Sequence, residues 1–274
     1  MFRDTLVTQV VTVERDRSEA RQDLVAVEEP LEIRIGEMTV SITMRTPGHD
    51  EDLAMGFLFT EGIVEDPEQV VSIRHLETQG NQRQAGNTIV VELQAGVELD
   101  CGRLQRNFYA TSSCGICGKA SIAAIEVAPR RPMQELAKGF RAELIHSLPE
   151  VLRQSQKVFD RTGGLHAAAL FSADGELREM REDVGRHNAL DKLIGCALRD
   201  DDSKLDESLV LMSSRAGFEI VQKAVMAGIP VLAAVGAPSS LAVEAARRFG
   251  ITLLGFVRNE RFNIYSGAAR IELS

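Results

Sequence analysis

Apolar and polar positions alternate along the first third of the chain. Residues 6–13 carry a β-type pattern; Leu31, Ile33 and Ile35 alternate with charge, and Val40, Ile42 and Met44 do so beyond Gly36. A period of two places such residues on one face of a strand, so 31–44 predicts a hairpin. Pro47-Gly48 breaks the strand, and His49-Asp50-Glu51-Asp52 gives an acidic entry to a helix running to about Thr60, which Gly62 ends. Two further strands are predicted over 70–76 and 88–94, around the polar turn Gly80–Gly86. This part reads as an α+β unit built largely of hairpins.

The pattern changes after Pro129-Arg130-Arg131-Pro132. A helix is predicted over 133–142, and a second from Ser147 to Phe159, where Leu148, Val151, Leu152, Ser155 and Val158 recur at helical spacing. Strands and helices then alternate. A strand over 167–172, a turn at Asp174-Gly175 and a strand to about 181 precede a helix from Asn188 to Leu198. Strand 208–213, helix 217–227, strand 229–235, helix 239–248 and strand 251–257 follow. Short connections between alternating elements imply a sheet flanked by helices, its final strands parallel. The expected division is therefore an α+β domain over 1–129 and an α/β domain over 130–274.

Composition narrows the function classes. Over 274 residues, 44% are hydrophobic and 26% charged, the balance of a globular chain with a real core. A formal charge of −9 argues against broad binding of nucleic acid or an anionic membrane, though local basic clusters could still grip a phosphate. Met1-Phe2-Arg3-Asp4 does not begin a signal peptide, and the apolar run Ile229–Ala237 is interrupted by Pro230 and too short to span a bilayer. With free cysteines, this gives a cytoplasmic expectation.

The candidate reactive chemistry is Cys114-Gly115-Ile116-Cys117, flanked by small residues and followed by Lys119. Lys119–Ile125 reads as the first turns of a helix, whose open N–H groups, with the lysine, favour thiolate over thiol. A structural disulfide fits poorly with four cysteines and no sign of secretion. Structural zinc needs four closed ligands, and the remaining candidates are Cys101, isolated Cys196 and scattered histidines. No metal site is therefore expected. Thiol–disulfide exchange and persulfide carriage both remain open on spacing alone.

Four polar clusters fall where an α/β sheet binds ligands, beyond the carboxyl ends of its strands. They are Thr162-Gly163-Gly164-Leu165-His166, Glu182–Asn188 with Asp191 and Lys192, Ser213-Ser214-Arg215, and Phe256-Val257-Arg258-Asn259-Glu260-Arg261. Each alone reads equally as a turn, a capping cluster or a solvated edge. Their recurrence at similar topological places points to a phosphorylated ligand.

Cys114–Ile122, Thr162–Leu170 and Glu182–Lys192 together resemble the FdhD/NarQ family of formate dehydrogenase accessory sulfurtransferases. So do Glu29-Pro30-Leu31, Arg45-Thr46-Pro47-Gly48, Gly56–Gly62 and Ala237–Ala242, in order between about 28 and 266. The resemblance implies a sulfur carrier between a cysteine desulfurase and a molybdenum or tungsten bis(molybdopterin guanine dinucleotide) cofactor, which then enters formate dehydrogenase. It implies Cys114 as persulfide carrier with Cys117 as partner, Phe256–Arg261 as cofactor-binding stretch, a cytidine deaminase-like three-layer second domain, and a homodimer. With it, Arg215, Arg258 and Arg261 are expected to hold phosphate and Ser213 to offer a hydroxyl. His187, Asp183 and His166 are expected beside them, His187 and Asp183 orienting neighbouring groups. The chain departs from the family pattern at Ser214, where glycine is commoner, and at Gly217, where serine is expected.

Three rival classes have stated requirements. A zinc nucleoside deaminase needs H-x-E before P-C-x-x-C, whereas His166 is followed by Ala167-Ala168 and the CxxC lies upstream. A cofactor chaperone whose CxxC is structural or redox-active would not need Cys114. A thiol–disulfide oxidoreductase would turn over generic disulfides.

Overall fold

The computed structural model describes residues 4–76, 86–97, 99, 133, 138–200 and 202–273. Cys101, Cys114, Cys117, the helix expected after Lys119, most of the turn at 80–86 and the boundary expected at 129/130 lie outside the described residues.

The chain opens with an antiparallel ribbon, β1 (Thr5–Glu14) and β2 (Arg17–Ala26). Strands β3 (Glu29–Ile35), β4 (Met38–Arg45), β5 (Val70–His75) and β6 (Thr88–Leu93) form a four-stranded sheet in the order β4-β3-β6-β5. Its Leu31, Ile33, Val40, Ile89 and Val91 bury against Leu53, Ala54 and Leu58 of helix α1 (Asp50–Thr60). The predicted hairpin, helix and two strands are all present. The sequence pattern missed β2, because Arg17, Glu19, Arg21 and Asp23 fill it with charge and leave no apolar period.

The second half carries β7 (Phe140–Arg141), α2 (Ala142–Ser155), α3 (Lys157–Thr162), β8 (His166–Phe171), β9 (Leu177–Asp183) and α4 (Arg186–Leu198). After these come β10 (Leu209–Met212), α5 (Phe218–Met226), β11 (Val231–Ala234), α6 (Ser240–Phe249), β12 (Thr252–Arg258), β13 (Arg261–Ser266) and β14 (Ile271–Glu272). Six strands make one sheet in the order β13-β12-β11-β10-β8-β9. β10, β11 and β12 run parallel, while β8 and β13 pair antiparallel with their neighbours.

Alternation within the strands divides the core. Ala168, Leu170, Val210, Met212, Leu232 and Leu253 face α4, α5 and α6, whereas Ala167, Phe171, Leu211, Ala233 and Leu254 face α2. The result is helices on both faces of one sheet. Three expectations shift. Of the helix expected over 133–142, the described residues 138–141 are not helical and Phe140–Arg141 form β7, while 134–137 lie outside the described residues. The helix drawn over Ser147–Phe159 begins at Ala142 and breaks at Gln156 into α2 and α3; and β13 turns back beside β12, so the last strand is a hairpin.

The two halves meet through α1 and α4. A Cβ on Gly56 would fall 1.9 Å from the Asp191 carbonyl oxygen, and one on Gly195 1.9 Å from that of Asp52. Only glycine lets the two helices approach that closely.

Candidate functional site

The four polar clusters come together along one edge of the six-stranded sheet. His166, first in β8, pairs with Asp183, last in β9. Next to it, Ala167 N–H donates to Ser213 Oγ at 2.8 Å and Ser213 N–H to the Ala167 carbonyl at 2.9 Å. Gly236 N–H donates to the Ser214 carbonyl, and Phe256 N–H to the Gly236 carbonyl, continuing the row to β12. The carboxyl ends of β9, β10, β11 and β12 therefore share the edge with the N-termini of α4, α5 and α6, as the α/β rule requires.

Within the Glu182–Lys192 segment most polar groups hold the protein together. Glu182 accepts from the Val158 and Phe159 N–H groups at the start of α3, and burial raises its carboxyl pKa. Asp183 is fully buried: Oδ2 lies 2.7 Å from Lys192 Nζ and accepts from Thr46 N–H, and Oδ1 accepts from Gly185 N–H and Asn188 Nδ2. Lys192 Nζ also donates to the Thr46 carbonyl at 2.7 Å, and the Thr46 hydroxyl accepts from Val184 N–H. Asn188 Nδ2 donates to the Met44 carbonyl. Arg45-Thr46-Pro47-Gly48 is the other side of this joint. Arg45, buried, clamps Asp50 with two bonds of 2.9 and 3.0 Å, while the left-handed φ of 56° at His49 turns the chain into α1. Asp183 thus faces inward and orients the joint.

Beneath it, Asp191 accepts from the Thr60 hydroxyl at 2.8 Å and lies 2.9 Å from Lys223 Nζ, which also reaches Glu61 at 2.7 Å. Burial works against the Lys223 charge, but Asp191 and Glu61 outweigh it and raise its pKa.

Other groups of the cluster are partly buried. His187 Nε2 lies 2.8 Å from Glu219 Oε2, and that contact holds the Glu219 carboxyl below its usual range. His166 is held below the ordinary histidine value by burial and then by the Arg186 charge. Arg186, Arg215, Arg258 and Arg261 form no ion pair among the described residues, while the buried or half-buried Arg45 and Arg181, and Arg199, are all paired. Sequence reasoning placed Arg186 in the cluster without assigning it a role; its signal was its position at the first turn of a helix.

Arg258 and Arg261 stand directly opposite each other in the β12–β13 hairpin. Like charges so placed repel, and a bound anion would relieve them. Asn259 and Glu260 form the exposed turn, Val257 is buried in the α2-side core, and Phe256 sits at a bulge with φ 54°. An aromatic residue in the left-handed region is strained, and such strain gathers at ligand sites. Gly185 and Gly217 start α4 and α5 without side-chain caps, so the first-turn N–H groups there have no side-chain acceptor from the cap residue, whereas Ser239 caps α6. Ser214 turns inward and donates to the Arg215 carbonyl, so its hydroxyl leaves the edge open.

A cavity of about 480 Å³ opens beside this edge, walled by Leu152, Arg153, Phe159, Gly164, His166 and Ser213. Cys196 sits elsewhere, on α4 beside Arg181 and Glu179, and burial pushes its thiol up to about 11. It is no candidate nucleophile. No group of three or more His, Cys, Asp or Glu that could hold a metal occurs among the described residues, and no described helix is long and apolar enough to cross a membrane.

The sequence profile of the FdhD/NarQ family matches residues 26–272. The chain belongs to this family. It is 49% identical over 277 residues to the sulfur carrier protein FdhD of Streptomyces coelicolor, covering 100% of this chain and 98% of that one. It is 52% identical over 256 residues to the protein of the same name in Mycolicibacterium paratuberculosis, covering 92% and 93%. A crystal structure of a putative formate dehydrogenase accessory protein from Desulfotalea psychrophila superposes with a TM-score of 0.73 at 24% identity, over 98% of this chain and 99% of that one. The FdhD/NarQ fold is therefore the mixed α+β arrangement described above.

Proposed function

We propose that this FdhD/NarQ protein carries sulfur on Cys114 and delivers it to a bis(molybdopterin guanine dinucleotide) cofactor held at the arginine edge, before that cofactor enters formate dehydrogenase. The names borne by its relatives support the sulfur-carrier role. The observation that carries the cofactor reading is the row Arg186, Arg215, Arg258 and Arg261, without ion pairs among the described residues and beside two helix N-termini without side-chain caps. Two pyrophosphates demand such receptors, since guanidinium forks and first-turn N–H groups both bind phosphate oxygens.

The chemistry balances without an outside oxidant. The Cys114 thiolate attacks the terminal sulfur of a cysteine desulfurase persulfide; one S–S bond forms, another breaks, and the donor cysteine leaves as thiolate. The sulfur reaches the cargo metal, molybdenum or tungsten, only at the sulfide level, displacing an oxygen ligand that leaves as water. Release by Cys117 attack on the inner sulfur would free hydrosulfide and leave a Cys114–Cys117 disulfide, which a cellular thiol reduces. His187 and Glu219 pair at 2.8 Å at the start of α4 and α5, and Ser213 lines the adjoining cavity.

Intact-protein mass spectrometry after incubation with a cysteine desulfurase and cysteine tests the carrier step. Wild type should gain about one sulfur atom, removable by reductant, and Cys114→Ala should gain none. A Cys114→Ala protein that still activates formate dehydrogenase would instead mark a cofactor chaperone. Full transfer by Cys117→Ala would make Cys117 a bystander.

A further inference from the structure

We infer that Gln156 makes the cavity beside the arginine edge a pocket for an oxo-substituted heterocycle, its amide donating to the ring carbonyl that guanine and pterin share. This deepens the cofactor reading above and rests on it.

The break between α2 and α3 falls at Gln156, with φ −77° and ψ 76°, and the residue lines the cavity there. Its backbone is engaged on both sides: the N–H donates to the Arg153 carbonyl, and the carbonyl accepts from Asp160 N–H. Its side chain is not. Gln156 is 4% exposed, yet its amide nitrogen has no hydrogen-bond partner among the described residues. An enclosed donor without an acceptor is costly, and in a native fold it asks for an explanation. Turning the amide into the cavity gives that nitrogen an acceptor on a seated ligand.

The rest of the wall narrows the ligand. A volume of about 480 Å³ lies within the ~300–1,000 Å³ range of small-molecule pockets. Leu152, Phe159 and Val235 supply apolar surface, and the Arg153 guanidinium lies 4.9 Å over the Phe159 ring, a flat wall on which an aromatic ring can stack. Glu182 pins that wall by accepting from Val158 and Phe159 N–H. No aspartate or glutamate lines the cavity among the described residues. Donors come from Gln156, Arg153 and Ser213, whose Oγ accepts from Ala167 N–H and keeps its own hydrogen to give. Such a wall selects a carbonyl. Adenine carries an amino group where guanine carries an oxygen, and would set donor against donor. With no carboxylate to receive it, the 2-amino group of guanine goes unread.

The cavity also joins the phosphate receptors. Ser213 opens the segment that carries Arg215, and Val235 precedes Gly236, whose carbonyl accepts from Phe256 N–H at 3.0 Å, two residues before Arg258. A ring seated in the cavity can therefore direct its phosphates toward the arginines.

Calorimetry on the full chain with GDP, IDP, ADP, pyrophosphate and 6-hydroxymethylpterin tests this, comparing wild type with Gln156→Leu. The variant's melting temperature should hold or rise, because an unpartnered amide is gone. Gln156→Leu should weaken GDP or the pterin at least ~10-fold, with IDP following GDP, while ADP and pyrophosphate stay within ~2-fold because neither makes the bond. Whichever of GDP and the pterin falls identifies the end of the cargo that the cavity takes. Indifference of both to the substitution, or an ADP affinity that falls as far as that for GDP, would overturn the inference. A wild type that binds the pterin but no pyrophosphate would overturn the arginine edge instead, and the pterin arm would still decide the role of Gln156.

Discussion

Arg258 and Arg261 face each other across a hairpin end with no carboxylate ion-paired to either among the described residues. Replacing both with alanine should lower guanosine diphosphate affinity by 10-fold or more in calorimetry, since each charge-assisted phosphate bond is worth about 1.5–3 kcal/mol. Thermal stability should hold or rise slightly as the repulsion goes. Unchanged affinity would remove the pair from the site. His166 makes a second prediction at this scale. Its pKa in the fold lies below the unfolded value of 6.5, so its contribution to stability is complete above pH 6.5 and is lost as pH falls through the lower folded value. In urea titrations over that window, His166→Asn should flatten the pH dependence; an unaltered slope would mean that another group sets it. The edge clusters were legible in sequence as polar runs flanking apolar strands, Thr162–His166 before one and the other three after theirs. The inward turn of Asp183 was not, since Glu182-Asp183 reads the same whether it meets a ligand or Thr46. Only the fold shows that partner, 137 residues away.

Helix α1 is buried on both sides, against the four-stranded sheet by Leu53, Ala54 and Leu58 and against α4 by Gly56. Gly56→Ala or Gly195→Ala would drive a methyl into a backbone carbonyl, and the helices would have to separate. Each change should cost about 3 kcal/mol or more by denaturant unfolding, at the upper end for overpacking. A cost under about 1 kcal/mol would mean that the crossing yields easily. Gly217 offers the contrast: its φ is −86° and an added Cβ meets nothing within 4 Å, so Gly217→Ser should stabilise α5 by a few tenths of a kcal/mol through a cap. Helix α1 was legible from its acidic entry and the glycines that bracket it, and α4, α5 and α6 from their alternation with apolar strands. Strands β2 and β13 were not, the first because charge hides its alternation and the second because Arg258–Arg261 looks like the end of an element when it is the turn between two.

Across the whole molecule, Asp183–Lys192 and Asp191–Lys223 lie buried where the halves meet, with Thr46 and Thr60 bound into them. Removing one partner of a buried pair strands the other charge, so Asp183→Ala should destabilise by about 3–5 kcal/mol. Calorimetry should show one cooperative unfolding transition for the wild-type protein; two separated transitions would show halves that melt independently. The alternation of strands and helices after residue 160 was readable in the sequence. The joint was not, because its members are spread over residues 43–223 and converge only in space.

The glycine crossing sets what can be exchanged between members of the family. A half-chain presents a flat, finished contact only to a counterpart that leaves the same gap, so Gly56 and Gly195 act as a matched key and lock. Recombining the first half of this protein with the second half of a relative would therefore succeed or fail on those two positions before the chemistry at the edge was ever tried. The transferable module is the α1–α4 pair with everything bound to it, and neither half is a spare part alone.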